Sequence, residues 1–181
     1  MTKSATIAPE LSRPLPVDRV SAGGIEETIK ASDKERAALA ERFGLLDLPK
    51  LEAHVEVHPT RGGAMFEVTG HMEADVVQQC VATLEPLPAH LKQEIGVLCA
   101  SPEMLETGAV SLPADLDEEE TEAIVGGVID LGEMVAQHLG AALDPYPRKP
   151  GVAFVEAEYG AEAAAPNPFA KLAELKKKPK T

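Results

Sequence analysis

Apolar and polar residues alternate along three stretches of the chain, and a period of two marks strands with one buried and one wet face. The longest stretch runs from Ala64 to Gln79. Phe66, Val68, Gly70, Met72, Ala74 and Val76 fall on one parity, and Glu67, Thr69, His71, Glu73 and Asp75 on the other. Such a run exceeds the usual strand of about five or six residues, so the pattern predicts either a bend or bulge near Gly70 or two shorter strands in register. Upstream, Leu51, Ala53, Val55 and Val57 alternate with Glu52, His54, Glu56 and His58, and Pro59 to Gly63 turns the chain. The two runs together predict an antiparallel hairpin. After a turn over Cys80 to Pro88, Leu91, Gln93, Ile95, Val97 and Cys99 alternate with Lys92, Glu94, Gly96 and Leu98. This is a third antiparallel strand, with Cys99 on its core side. Lead-in strands are expected over residues 11–31, where Pro14 and Pro16 force extended backbone and Gly23-Gly24 supplies a turn.

Elsewhere the period changes to that of helices. Ser32-Asp33-Lys34-Glu35 has the spacing of a reciprocal cap, in which the Ser32 hydroxyl takes the Glu35 amide and the Glu35 carboxylate returns to the Ser32 amide. A helix follows, with Leu39 and Phe43 on one face and Gly44 as a left-handed stop. Val128-Ile129 predicts a short strand leading to Asp130, which caps a second helix. On that helix Leu131, Met134, Val135, His138, Leu139 and Ala142 form one apolar stripe. The Pro-rich run Asp144 to Pro150 ends it in a stiff extended segment expected to drape over the domain. Residues 156–166 read as an Ala/Glu-rich linker. Asn167 and Pro168 then start a short helix with Phe169, Leu172 and Ala173 on one face and a lysine-rich end. A helix that short is marginal alone and needs a surface against which to bury Phe169.

Composition narrows the function classes. At 181 residues the chain can bury about 70% of its unfolded surface as one domain, so it needs no staple. Its two cysteines, Cys80 and Cys99, have neither a disulfide framework nor Cys-x-x-Cys spacing, and no apolar run approaches the roughly 20 residues of a membrane span. The N-terminal stretch is polar, and a cytoplasmic location is expected. A formal charge of −13 repels nucleic acid. With four Phe, two Tyr and no Trp there is little to stack on bases, so any contact with RNA is expected to be indirect. Asp115, Asp117, Glu118, Glu119 and Glu120 lie in an acidic stretch, residues 101–122, that reads as a solvated loop or as bait for a basic partner. His54, His58 and His71 share the outer face of the hairpin, but nothing in the pattern makes them metal ligands. Cys80 reads as a buried, inert thiol. No set of nucleophile, base and oxyanion donors is visible, so neither an enzyme nor a cofactor or small-molecule substrate is expected.

Three stretches carry a family resemblance. They are Gln79-Cys80-Val81-Ala82-Thr83-Leu84-Glu85-Pro86, then Gly127 to Glu133 running on to Asp144-Pro145-Tyr146-Pro147, and then Asn167-Pro168-Phe169-Ala170-Lys171-Leu172-Ala173-Glu174-Leu175-Lys176. In order and spacing, over residues 14–177, they resemble the YceD family, which is linked to accumulation of the large-subunit ribosomal RNA. The single cysteine at the turn and the Asp-Pro-Tyr-Pro-Arg segment resemble its alphaproteobacterial members. Many members have Cys-x-x-Cys-Leu at the turn; here Thr83 holds the second position, so no metal or redox role carries over. The family supplies no catalytic residues to transfer. The resemblance implies a ribosome-biogenesis factor whose partners are ribosome-assembly proteins. The alternative is an acidic chaperone for a basic ribosomal protein.

The combined expectation is an α+β protein with an antiparallel sheet of about five or six strands, open or curled toward a barrel, two packed helices and a short C-terminal helix. Its parts are a flexible residues 1–10, a single domain over residues 11–155, the linker, and residues 167–181 as helix and basic tail. The candidate partner-binding residues are Cys80, Leu84, Glu85 and Pro86 at the turn, and Asn167, Pro168 and Phe169 in the tail.

Overall fold

The computed structural model describes residues 9–106 and 120–151. Chain order is β1 (Pro14–Pro16), β2 (Ile25–Lys30), α1 (Asp33–Phe43), β3 (Asp47–Thr60), β4 (Met65–Gln79), β5 (Pro86–Ala100), α2 (Pro102–Glu106), β6 (Glu120–Ala123), β7 (Val128–Asp130) and α3 (Leu131–Ala142). The strands form a five-stranded sheet, β2-β3-β4-β5-β6, and a two-stranded sheet, β1-β7. The protein is α+β. The larger sheet is antiparallel except for its β5–β6 pair, and it is open rather than closed into a barrel. No described helix is long and apolar enough to cross a membrane.

Hydrophobic alternation places the core. Ile29, Val55, Val57, Val68, Met72, Val76, Ile95, Val97 and Cys99 all turn to one side of the sheet, where Leu39 of α1 and Leu131, Met134, Val135 and Leu139 of α3 cover them. Both helices start as their sequences predict. Ser32 Oγ accepts the Glu35 amide while the Glu35 carboxylate takes the Ser32 amide, and Gly44 closes α1 at φ 64°. The Asp130 carboxylate accepts the Gly132 and Glu133 amides at the head of α3. His138 is buried on the apolar stripe, with its Nδ1 3.0 Å from the Met134 carbonyl oxygen.

Two expectations are corrected. The ladder is unbroken across Gly70, which faces Val55 on one side and Ile95 on the other; the register shift falls in β3, between Asp47 and Lys50. Gly70 marks a close approach instead. A Cβ there would strike the His54 carbonyl oxygen and lie 2.8 Å from Val55 Cα. The acidic stretch is also not wholly a loop. Met104 and Leu105 of α2 pack on Met65 and Leu98, and Glu120 belongs to β6, which runs parallel to β5 with Glu120 opposite Val97. A parallel neighbour requires a connection of a dozen or more residues, and residues 101–119 separate the two strands in sequence. Asp115, Asp117, Glu118 and Glu119 lie outside the described residues, as do the linker, Asn167, Pro168, Phe169 and the basic tail.

Candidate functional site

The turn between β4 and β5 spans only Cys80 to Glu85, because β5 already begins at Pro86, paired with Gln79. Its backbone closes on itself: the Cys80 amide donates to the Glu85 carbonyl and the Leu84 amide to the Cys80 carbonyl, each at 2.9 Å. That geometry requires Leu84 at φ 60°, a left-handed conformation that costs a residue with a Cβ about 1–2 kcal/mol. The side chain so held is 66% exposed.

The segment after α3 lies across this turn. Gln78 Nε2 donates to the Asp144 carbonyl at 2.9 Å and the Val81 amide to the Pro147 carbonyl at 2.9 Å. The Lys149 amide donates to Cys80 Sγ at 3.4 Å, and its ammonium to the Glu85 carboxylate at 2.8 Å. Prolines at 145 and 147 keep the strap extended, so its carbonyls are free to receive these donors. Within the strap, the Tyr146 amide donates to Asp144 Oδ1, and the Tyr146 ring is left 71% exposed.

Cys80 is fully covered yet lies outside the apolar core cluster, and its surroundings are those of an acceptor. The Thr83 hydroxyl, then the Lys149, Thr83 and Ala82 amides, favour the thiolate and draw the thiol down from 9.0 to about 7. Cys80 is buried as its pattern predicts, and the polar donors at its sulfur distinguish its surroundings from an apolar setting. Cys99 has that setting, and burial pushes its thiol up to about 12. The Lys149 ammonium holds the Glu85 carboxyl below the ordinary range, with Thr83 a lesser contributor.

The fold therefore brings Cys80, Leu84, Glu85 and Pro86 into one knot, with Leu84 and Pro86 exposed and Cys80 enclosed. Sequence reasoning missed Thr83, which acts through local hydrogen bonds, Lys149, which reaches Cys80 and Glu85 from far along the chain, and the exposed Val81 and Tyr146 of the turn and its strap. The proline spacing of residues 144–150 carried the available signal. His54 and His71 stack at 5.2 Å on the sheet face, while His58 turns to Glu56. Among the described residues no group of three His, Cys, Asp or Glu side chains is placed to hold a metal ion.

The family model described as large ribosomal RNA subunit accumulation protein YceD matches residues 68–176. The chain belongs to the YceD family. The match runs from within β4 through the knot and its strap, and the family name indicates involvement in accumulation of the large ribosomal subunit's RNA. No curated protein and no solved structure matches the chain.

Proposed function

We propose that this YceD-family chain is a non-enzymatic assembly factor that supports accumulation of the large-subunit ribosomal RNA through contacts with proteins. The family match over residues 68–176 carries this reading. The chemistry of the knot supports it. Cys80 has the Thr83 hydroxyl and backbone amides around its sulfur, with no imidazole or carboxylate base among those groups. Val81, Leu84 and Tyr146 instead leave apolar and aromatic surface exposed on the braced turn and its strap, and an exposed tyrosine is the kind of anchor that a partner protein's pocket accepts. The net charge of −13 disfavours a phosphate backbone as the direct contact.

The test is a chromosomal replacement carrying Leu84→Gly and Tyr146→Ala. Glycine suits the left-handed backbone at 84, so the turn keeps its shape while the projecting side chains are lost. Large-subunit RNA should fall relative to small-subunit RNA, and assembly proteins should no longer co-purify. A folded variant with normal subunit profiles would remove the knot from this role. Phe169→Ala asks the same of the tail, and unchanged profiles there would leave Asn167, Pro168 and Phe169 without a docking function.

A further inference from the structure

Only one face of the larger sheet is covered by the long helices. On the opposite face, the described helix α2 packs on the Met65–Leu98 end. The strand register lays out the remainder of that face in rows across β2, β3, β4 and β5. One row reads Lys30, Glu52, Glu73, Lys92. It is internally neutralised: Lys30 meets Glu52 at 2.8 Å, and Glu73 takes Lys92 at 2.7 Å and Lys50, from the row below, at 3.0 Å.

The two rows nearer α2 differ. They read Glu26, Glu56, Thr69, Gly96 and then Thr28, His54, His71, Glu94, with Glu67 beside His58 in the row beyond. These positions hold four carboxylates and neither lysine nor arginine. Glu26 and Glu56 are direct cross-strand partners, an arrangement of like charges that costs stability. Among the described residues Glu26, Glu67 and Glu94 have no cationic partner, and Glu56 has only the His58 imidazole at 3.3 Å. Among these rows lies a groove of about 420 Å³, walled by Glu26, Glu56, Thr69 and the stacked His54–His71 pair, with Val55 and Gly70 also lining it.

We propose that this half of the open face is a docking surface for an extended, arginine-rich segment of a partner protein. Successive outward rows are two residues apart along a strand, about 6.6 Å, which is also the spacing of alternate side chains in an extended peptide. Every second residue of such a segment, running along the strands, meets Glu67, then Glu56, then Glu94. Arginine fits better than lysine: its planar fork bonds a carboxylate through two N–H groups, and its flat face can lie on the imidazole pair. The carboxylates that repel one another across β2 and β3 receive the counter-charge that no described lysine or arginine provides. The same carboxylates repel RNA. The biological setting rests on the assembly reading; the surface itself does not.

The probe is a fluorescein-labelled peptide of alternating arginine and serine, titrated against the full-length chain by anisotropy. Binding should weaken as salt rises. Glu56→Gln with Glu94→Gln should lower affinity about tenfold. Neutralising Asp115, Asp117, Glu118 and Glu119 together should change it by no more than about twofold. The double variant should unfold at or above the wild-type midpoint, since Glu26 loses its like-charged neighbour, so lost binding will not be mistaken for lost folding. Wild-type affinity in the double variant overturns the surface, as does a loss that follows the acidic segment instead, or equal binding by single-stranded RNA. If the double variant loses the peptide while large-subunit RNA stays normal in cells, the surface stands and its tie to ribosome assembly falls.

Discussion

Gly70 shows how one residue carries information that its pattern leaves ambiguous. Within an alternating run a glycine suggests a bulge, because it permits unusual backbone. In the fold it serves a different need, the approach of β3, since a Cβ would strike the His54 carbonyl oxygen in an unbroken ladder. The obstacle is backbone paired on both sides, so it cannot rotate away. Gly70→Ala should therefore destabilise the protein by about 2 kcal/mol or more, read as a fall in the urea midpoint at unchanged slope. A shift within a few tenths of a kcal/mol would mean that β3 yields and the close approach is not required. Cys80 makes the complementary point. Its position at the turn was legible in the sequence, but its acidity comes from Thr83 and from a lysine amide 69 positions away.

At the scale of elements, caps were the most readable feature, because each acts within one turn of its own helix. Asp130 goes beyond its cap. Besides the Gly132 and Glu133 amides it accepts the Ser12 hydroxyl at 2.6 Å and the Arg13 amide at 2.7 Å, so one carboxylate joins the N-terminal segment to α3. Asp130→Ala should cost about 2 kcal/mol, more than the roughly 1 kcal/mol expected of Ser32→Ala, whose hydroxyl serves α1 locally. Thermal unfolding of both variants checks the ranking, and equal losses would reduce Asp130 to an ordinary cap. Arg42 makes a similar link, reaching Glu10 and Glu133 from the end of α1. β6 was hidden for a related reason. Three of its four residues are polar, and only pairing with the edge of β5 makes them a strand.

For the whole molecule, acid response follows from its paired carboxylates. The Arg13 guanidinium, at 2.7 Å, is the main force holding the Glu35 carboxyl down from 4.5 to about 2, and Lys92 followed by Lys50 does the same for Glu73. Both groups bind protons more weakly folded than unfolded, so their stabilisation is present above about pH 4.5 and is lost as pH falls toward 2. Arg13→Met should therefore cost on the order of 1 kcal/mol near neutral pH, solvent screening included, with the gap to wild type closing between pH 5 and 2. A constant gap across that range would show that Arg13 acts through packing rather than through Glu35. Periodicity along the chain determined the strands, the capped helices and which parity faces the core, because each depends on neighbours within a few residues. Tertiary structure alone decided the rest: the parallel edge strand, the strap that completes the Cys80 knot, and the split of the open face into a neutralised and an uncompensated half. Those features depend on register and on contacts between residues far apart in sequence, and a one-dimensional pattern does not carry distance across strands.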